Sequence, residues 1–264
     1  AAKRAGVPIV IHEQSARPGL ANKVGARNAR VVALTFPSSP LAARVGETVV
    51  TGLPLRSAIA DLANRRATSE GAAQARREAA ERLGVDPDAP TLLVTGGSLG
   101  ALHVNESMTG GADALPEGAQ VVHLTGRGKD EPVRAAVEAA GLSDRWHVID
   151  YLRTMEDALA VADLVVCRSG AGTVAEMEAL GLPCIYVPLP IGNGEQRLNA
   201  KDHVEAGGAQ LIDDKDFTAD FVRSNVFPLL GSTRLAEMAA ASQSLGRAGA
   251  ARALADLALA QVKE

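Results

Sequence analysis

DLVVCRSGAGTVAEMEALGLPCIYVPLP, residues Asp163 to Pro190, contains a complete strand–loop–helix–strand unit. Leu164 to Cys167 is a short apolar strand without polar alternation, the pattern of a parallel strand covered on both faces. The small-residue loop Ser169-Gly170-Ala171-Gly172-Thr173 follows, and the pattern predicts a helix over Val174 to Leu180. Gly181 stops that helix, with Pro183 just beyond. Cys184 to Val187 is a second buried strand. Glycines in the loop let a ligand approach the backbone, because they carry no Cβ. Amide N–H groups and the dipole at the helix start favour an anion there. The unit implies a phosphorylated ligand at the carboxyl ends of parallel strands. A merely tight strand-to-helix turn is the plainer alternative, since a lone Gly-rich loop is a weak signal.

Gly170 to Ala175 also fits the loose dinucleotide fingerprint G-x-G-x-x-G/A. That fingerprint expects an acid after the next strand, about 20 residues on, to hold a ribose hydroxyl. Here the next strand runs into Tyr186-Val187-Pro188-Leu189-Pro190, with no acid. The nearest one is Glu176, in the first turn of the helix itself. A carboxylate there reaches a ribose lying across the helix start, as in nucleotide-sugar transferases, which argues against a nicotinamide dinucleotide.

Outward from this unit, strands and helices alternate. Strands are predicted at Val7–His12, Val31–Thr35, Thr48–Thr51, Thr91–Thr95, Gln120–Leu124, Trp146–Asp150 and Ala209–Ile212. Helices are predicted at Arg77–Leu83, Ala101–Ala114, Val133–Ala140, Thr154–Ala160 and Glu195–Ala206. This is a doubly wound α/β pattern. Residues 57–90 are Ala- and Arg-rich with weak periodicity and a breaker at Thr68 to Gly71; they read as a linker and a solvated helix. Residues 1–56 then form part of one Rossmann-like domain and residues 91–231 a second. Residues 232–264 form terminal helices, broken at Gly246, the last expected to pack back on the first domain. Ala1 to Gly6 reads as a helix tail, so the chain is expected to begin within a fold.

The 264 residues are 47% hydrophobic and 22% charged, ordinary for a globular protein, and the net charge of −4 gives no electrostatic footprint for nucleic acid. There is no apolar run long enough to span a membrane. Cys167 and Cys184 both fall in buried strands, as two thiols or a disulfide. No Cys, His or carboxylate cluster has metal-ligand spacing, and no cofactor is implied.

Three strand ends carry Gly-rich turns: Thr95 to Gly100, Leu124 to Gly128, and Ser169 to Thr173. The first places Ser98 where its hydroxyl and N–H meet a phosphate, but lacks the Gly-Lys-Ser/Thr of a P-loop. Arg127 reads as an exposed loop arginine. Taken with HEQSARPGLANK (His12 to Lys23), TGLPLR (Thr51 to Arg56), GGSLGA (Gly96 to Ala101), CRSGAGTVAE (Cys167 to Glu176) and PLPIGNGEQRLNA (Pro188 to Ala200), the chain resembles the MurG family, in a form that looks actinobacterial. Its members are UDP-N-acetylglucosamine–N-acetylmuramyl-(pentapeptide) pyrophosphoryl-undecaprenol N-acetylglucosamine transferases. The resemblance implies a GT-B fold, two Rossmann-like domains facing a cleft, with the first only partly present. It implies an inverting transfer of GlcNAc from UDP-GlcNAc to the MurNAc 4-hydroxyl of lipid I, at the cytoplasmic face of the cell membrane, by a peripheral protein.

By the same resemblance Arg56 and Ser98 lie near the donor diphosphate, and the Leu152 backbone meets uracil. Ala171, Gly172, Thr173, Val174, Ala175 and Glu176 form the donor loop, with Glu176 on the ribose. Gln196 reads the sugar hydroxyls. Ser15 stands where the family has an Asn that contacts the sugar, and one hydroxyl replaces an amide's donor and acceptor. The family's amino-terminal Gly-rich loop and its proposed histidine base are expected before Ala1, in a missing stretch on the order of 100 residues. Glu13 stands as a candidate base, or as a ligand of its own loop. His12 reads as a structural histidine or a cleft residue; His103, His123, His147 and His203 read as structural. Two alternatives remain: a donor-binding module without turnover, and a related UDP-GlcNAc 2-epimerase, for which no catalytic motif is found.

Overall fold

The computed structural model describes residues 2–262, apart from Ser98, Leu99 and Gly192. The strands are β1 (Val10–Glu13), β2 (Val31–Leu34), β3 (Glu47–Val50), β4 (Thr91–Thr95), β5 (Gln120–Leu124), β6 (Trp146–Ile149), β7 (Leu164–Cys167), β8 (Cys184–Tyr186) and β9 (Ala209–Leu211). The helices are α1 (Leu20–Gly25), α2 (Ser57–Arg66), α3 (Ser69–Leu83), α4 (Leu102–Gly110), α5 (Asp130–Ala139) and α6 (Met155–Val161), then α7 (Ala171–Leu180), α8 (Glu195–Asn199), α9 (Lys201–Glu205), α10 (Ala219–Phe221), α11 (Thr233–Leu245) and α12 (Ala250–Ala260).

Two all-parallel sheets result. The smaller runs β1-β2-β3, and the larger β6-β5-β4-β7-β8-β9. In the larger sheet the order reverses between β4 and β7, a topological switch point, outside which such sheets bind their ligands. Thr95 lies opposite Cys167 there, so the carboxyl ends of both strands open side by side.

Alternation along β4 sorts its side chains. Leu93 enters one core layer, with Val122, Val165, Cys184 and Tyr186; Leu92 and Val94 enter the other, with Val121, Trp146, Val166 and Ile185. Both faces are covered, which is why these strands read as unbroken apolar runs. The smaller sheet packs its own cluster around Ile11, Val32, Leu34 and Leu41.

The stretch 57–90 differs from the linker and solvated helix expected. It forms two packed helices, α2 and α3, whose Ile59, Leu62, Ala63, Ala75, Ala79 and Ala80 enter the core of the larger sheet. Alanine gives little hydropathy contrast but allows close helix approach, so the periodicity is faint where the packing is tight. The expected breaker is a helix start: Thr68 caps α3 by accepting from the Gly71 N–H at 3.1 Å. Residues 195–205 form two short helices rather than one. Beyond β9, short turns bury Phe217, Val222, Val226 and Phe227. At the end of the chain α12 lies against β1.

Candidate functional site

The switch point opens onto a cavity of about 250 Å³. Thr95 and Gly97 line it from the end of β4, and Leu124 and Gly126 from β5. Leu152 follows β6, and Cys167 and Arg168 close β7; Thr173 and Glu176 come from α7, and Arg56 from the start of α2. Arg56, Leu152, Thr173 and Glu176 are thus brought together from three separate stretches. Gln196 lines a different opening, with Leu189, Ile191 and Asn193. Ser15 lines neither. The expectation for Ser98 falls outside the described residues.

Helix α7 is built for this position. Gly170 at its N-cap makes no side-chain hydrogen bond, so its first N–H groups are not capped by their own chain. The Val174 N–H is already bound to the Gly170 carbonyl at 3.0 Å, and the Val174 and Ala175 side chains are buried. Of the predicted loop, Thr173 lines the cavity, Ala171 and Gly172 lie beside it in the first turn without lining it, and Val174 and Ala175 seat the helix on the core. Gly181 ends α7 in the left-handed region, φ 64°.

Glu176 is paired with Arg56. The Arg56 Nε donates to Glu176 Oε1 at 3.1 Å, and Nη2 lies 3.0 Å from the same oxygen. Burial pushes the Glu176 carboxyl above its usual range, and Arg56 pulls it back. The arginine side chain is 58% exposed and the glutamate 17%, so Arg56 is the partner with freedom to move. Arg168 was quoted in its motif but not singled out by sequence reasoning. Its Nη1 donates to the Val187 and Pro188 carbonyls at 3.0 and 3.1 Å and to Asp214 Oδ1 at 2.5 Å, and His103 Nδ1 meets the other Asp214 oxygen at 3.1 Å. It fixes the turn that leaves β8. A charge at the end of a buried strand was the available signal. Arg127 is exposed, as expected, and its guanidinium stacks 4.1 Å above the Tyr151 ring at the cavity edge.

The other candidates resolve differently. Glu13 is 4% exposed and spends both oxygens on its own loop: Oε1 accepts from the Ser15 N–H, and Oε2 from the Gly19 N–H and Asn22 Nδ2. A carboxylate so occupied orders the loop and is a poor base. His12 is held by the Gly52 carbonyl at 3.0 Å and Thr35 Oγ1 at 3.3 Å, with burial lowering its pKa. Gln196 Oε1 accepts from the Leu189 N–H at 2.9 Å, which leaves its amide donors for another partner. Cys167 and Cys184 are buried free thiols. Among the described residues no cluster suited to a metal is present.

Comparison with known proteins agrees with this geometry. Residues 91–257 match the family model "Glycosyltransferase family 28 C-terminal domain". The UDP-N-acetylglucosamine--N-acetylmuramyl-(pentapeptide) pyrophosphoryl-undecaprenol N-acetylglucosamine transferase of Bifidobacterium longum is 47% identical over 96% of this chain and 68% of its own length. The Streptomyces coelicolor protein of the same name is 47% identical over 94% of this chain and 64% of its own length. The chain thus spans about two thirds of such relatives. Among solved structures, Acinetobacter baumannii MurG superposes with a TM-score of 0.77 at 28% identity, covering 98% of this chain and 68% of that one. A putative UDP-N-acetylglucosamine 2-epimerase from Listeria monocytogenes gives 0.64 at 17% identity, covering 95% and 67%, a likeness of fold alone. With the family model lying over the sheet that carries the cavity, and near-half identity running across almost all of its length, the chain belongs to the MurG family of glycosyltransferases.

Proposed function

We propose that the chain binds UDP-GlcNAc at the switch point of the larger sheet and serves transfer of GlcNAc to the 4-hydroxyl of a MurNAc-pentapeptide carried on undecaprenyl diphosphate. The observation that carries this reading is the cavity that brings Thr173, in the uncapped first turn of α7, together with Arg56 and Glu176. Diphosphate suits the helix start and the guanidinium, and Glu176 one turn on suits the ribose diol. Uracil falls to the strand end at Leu152. Residues 91–231 are the donor half and residues 1–56 belong to the acceptor half. In the reaction the anomeric C1–O bond to the diphosphate breaks as the acceptor oxygen bonds to C1. The hydroxyl proton goes to a base, and UDP leaves with the bonding pair. Positive charge and amide dipoles at the cavity stabilise that leaving group.

The named relatives support the acceptor, since theirs is pyrophosphoryl-undecaprenol-linked. On this reading the work is done where such a lipid lies, at the membrane, on its cytoplasmic face, with the protein peripheral. Among the described residues no helix is long and apolar enough to cross a membrane. Helix α1 buries none of its residues and exposes Leu20 and Val24 beside Lys23, which suits contact with an anionic lipid surface.

Calorimetry with UDP and UDP-GlcNAc tests the donor site. Both are expected to bind, and Glu176→Ala is expected to weaken both by roughly 1.5–3 kcal/mol, the worth of a charged hydrogen bond. Unchanged UDP affinity would refute the ribose role. UDP release from UDP-GlcNAc that depends on an added lipid acceptor tests the transfer.

A further inference from the structure

Helices α8 and α9 and the turn before α8 touch the loops of the smaller sheet through polar contacts at three places. The Ala16 N–H donates to Asn199 Oδ1 at 3.0 Å, Arg17 Nη1 donates to the Asn193 carbonyl, and the Ser38 N–H donates to Asp202 Oδ2 at 3.1 Å. Asn199 then continues inward. Its Nδ2 donates to the Ser169 carbonyl at 3.2 Å, immediately before the N-cap of α7. The side chain is 1% exposed, and both of its bonds go to buried backbone of distant loops, 183 and 30 residues away. One amide therefore reads the position of the Ser15–Arg17 loop and hands it to the loop that opens the donor helix. A buried amide keeps both bonds only while both loops hold their places, because each lost bond strands a desolvated group.

The same short helix carries Gln196, one turn before Asn199. Gln196 is tied to Leu189, and Asn193 Oδ1 accepts from the Glu195 N–H at 3.2 Å, so Gln196 and Asn193 are both held at the turn into α8. Arg17 is exposed and grips that turn from the opposite half of the molecule.

We infer that Arg17 and Asn199 are positioning residues: they register the Gln196 turn and the start of α7 against the Ser15–Arg17 loop, so that selection of the donor sugar depends on contact between the two halves. This rests on the donor site proposed above, with Gln196 facing the sugar. Removing Arg17 loosens the turn without touching the nucleotide. The sugar therefore loses its reader, and UDP keeps its own contacts.

The test uses the full chain and three ligands: UDP, UDP-GlcNAc and its 4-epimer UDP-GalNAc. Arg17→Ala is expected to leave the thermal midpoint and UDP affinity unchanged, to weaken UDP-GlcNAc roughly three- to tenfold, and to narrow its advantage over the epimer. Arg17→Lys, which keeps one donor, is expected to restore most of that loss. Asn199→Asp keeps the acceptor for Ala16 but sets a carboxylate against the Ser169 carbonyl; it is expected to weaken UDP as well, through the α7 start. Equal weakening of all three ligands by Arg17→Ala, or no weakening of any, overturns the inference. Wild-type chain that binds neither UDP nor UDP-GlcNAc instead refutes the donor site, and the positioning role falls with it.

Discussion

Gln196 and two glycines carry separate tests at the scale of single residues. Gln196→Ala is expected to cost about 1 kcal/mol or more in UDP-GlcNAc binding and to leave UDP nearly untouched, because UDP has no sugar for it to meet. If Gln196 serves only its bond to Leu189, both ligands change together with the thermal midpoint. Gly100 has φ +65°, and a Cβ there would lie 2.0 Å from the Thr125 carbonyl oxygen; Gly100→Ala is expected to cost roughly 2 kcal/mol of stability or more. Gly172 has nothing within 4 Å of a built Cβ. Gly172→Ala is therefore expected to leave the midpoint in place while weakening UDP, and an unaltered UDP affinity would move the phosphate away from α7. The glycine loop that opens α7 was legible in the sequence because it is contiguous, from Ser169 to Glu176. The engagement of Glu13 by Gly19 and Asn22 was half-legible, as one of two roles. Asn199 was invisible, since both of its partners lie far away in the chain.

At the scale of elements, Arg76 fastens α3 to the sheet. Its Nη1 and Nη2 meet Asp163 Oδ1 and Oδ2 at 2.9 and 3.0 Å, its Nε meets the Pro87 carbonyl, and Asp163 Oδ2 also accepts from the Thr91 N–H that opens β4. Arg76→Ala is expected to lower stability by roughly 2 kcal/mol, read by urea unfolding. Arg76→Lys is expected to recover little of it, because a lysine cannot reproduce a bidentate fork; full recovery would show that charge alone matters. Elements with strong hydropathy contrast, such as β4, β5 and β7, stood out in the sequence. Helices α2 and the first half of α3 did not, because Ala60, Ala63, Ala72 and Ala75 differ little in hydropathy from the polar face. The Phe217–Phe227 turns follow no period, and nothing local announces them.

At the scale of the whole molecule, buried titratable groups set opposing pH limits. His203 lies between the Tyr186 hydroxyl and Ser242 Oγ, and His123 between Trp146 Nε1 and Asn105 Oδ1. Burial lowers them from 6.5 to about 4 and about 3 respectively. The unfolded chain therefore binds more protons as pH falls below 6.5, and stability is lost down to those values. Glu178 has Oε1 buried without a partner, with Asp202 and Arg247 nearby, and burial raises its carboxyl from 4.5 to about 8. There the folded chain binds the extra proton, so stability falls as pH rises from 4.5 to 8. The lowered histidines, His12 and His147 among them, outweigh the raised carboxyls of Glu178 and Glu176 below 6.5, and the carboxyls prevail above it. A thermal midpoint highest near pH 6.5 is expected, with the alkaline decline reduced in Glu178→Gln; a flat profile from 6.5 to 8 in the wild type would contradict this. The two-sheet α/β plan was legible from strand spacing, but the junction was not: Ala16 and Phe36 of the smaller half join the core of the larger, and neither lies in an apolar run. The Arg56–Glu176 pair bears on the molecule's ionic surroundings. An arriving diphosphate does not meet a bare cation: the guanidinium already rests on a carboxylate, so the pair it approaches is close to neutral and its long-range pull is weak. Donor affinity should then fall only gently with added salt, and it should fall more steeply in Glu176→Ala, where the guanidinium waits with dissolved anions for its only company.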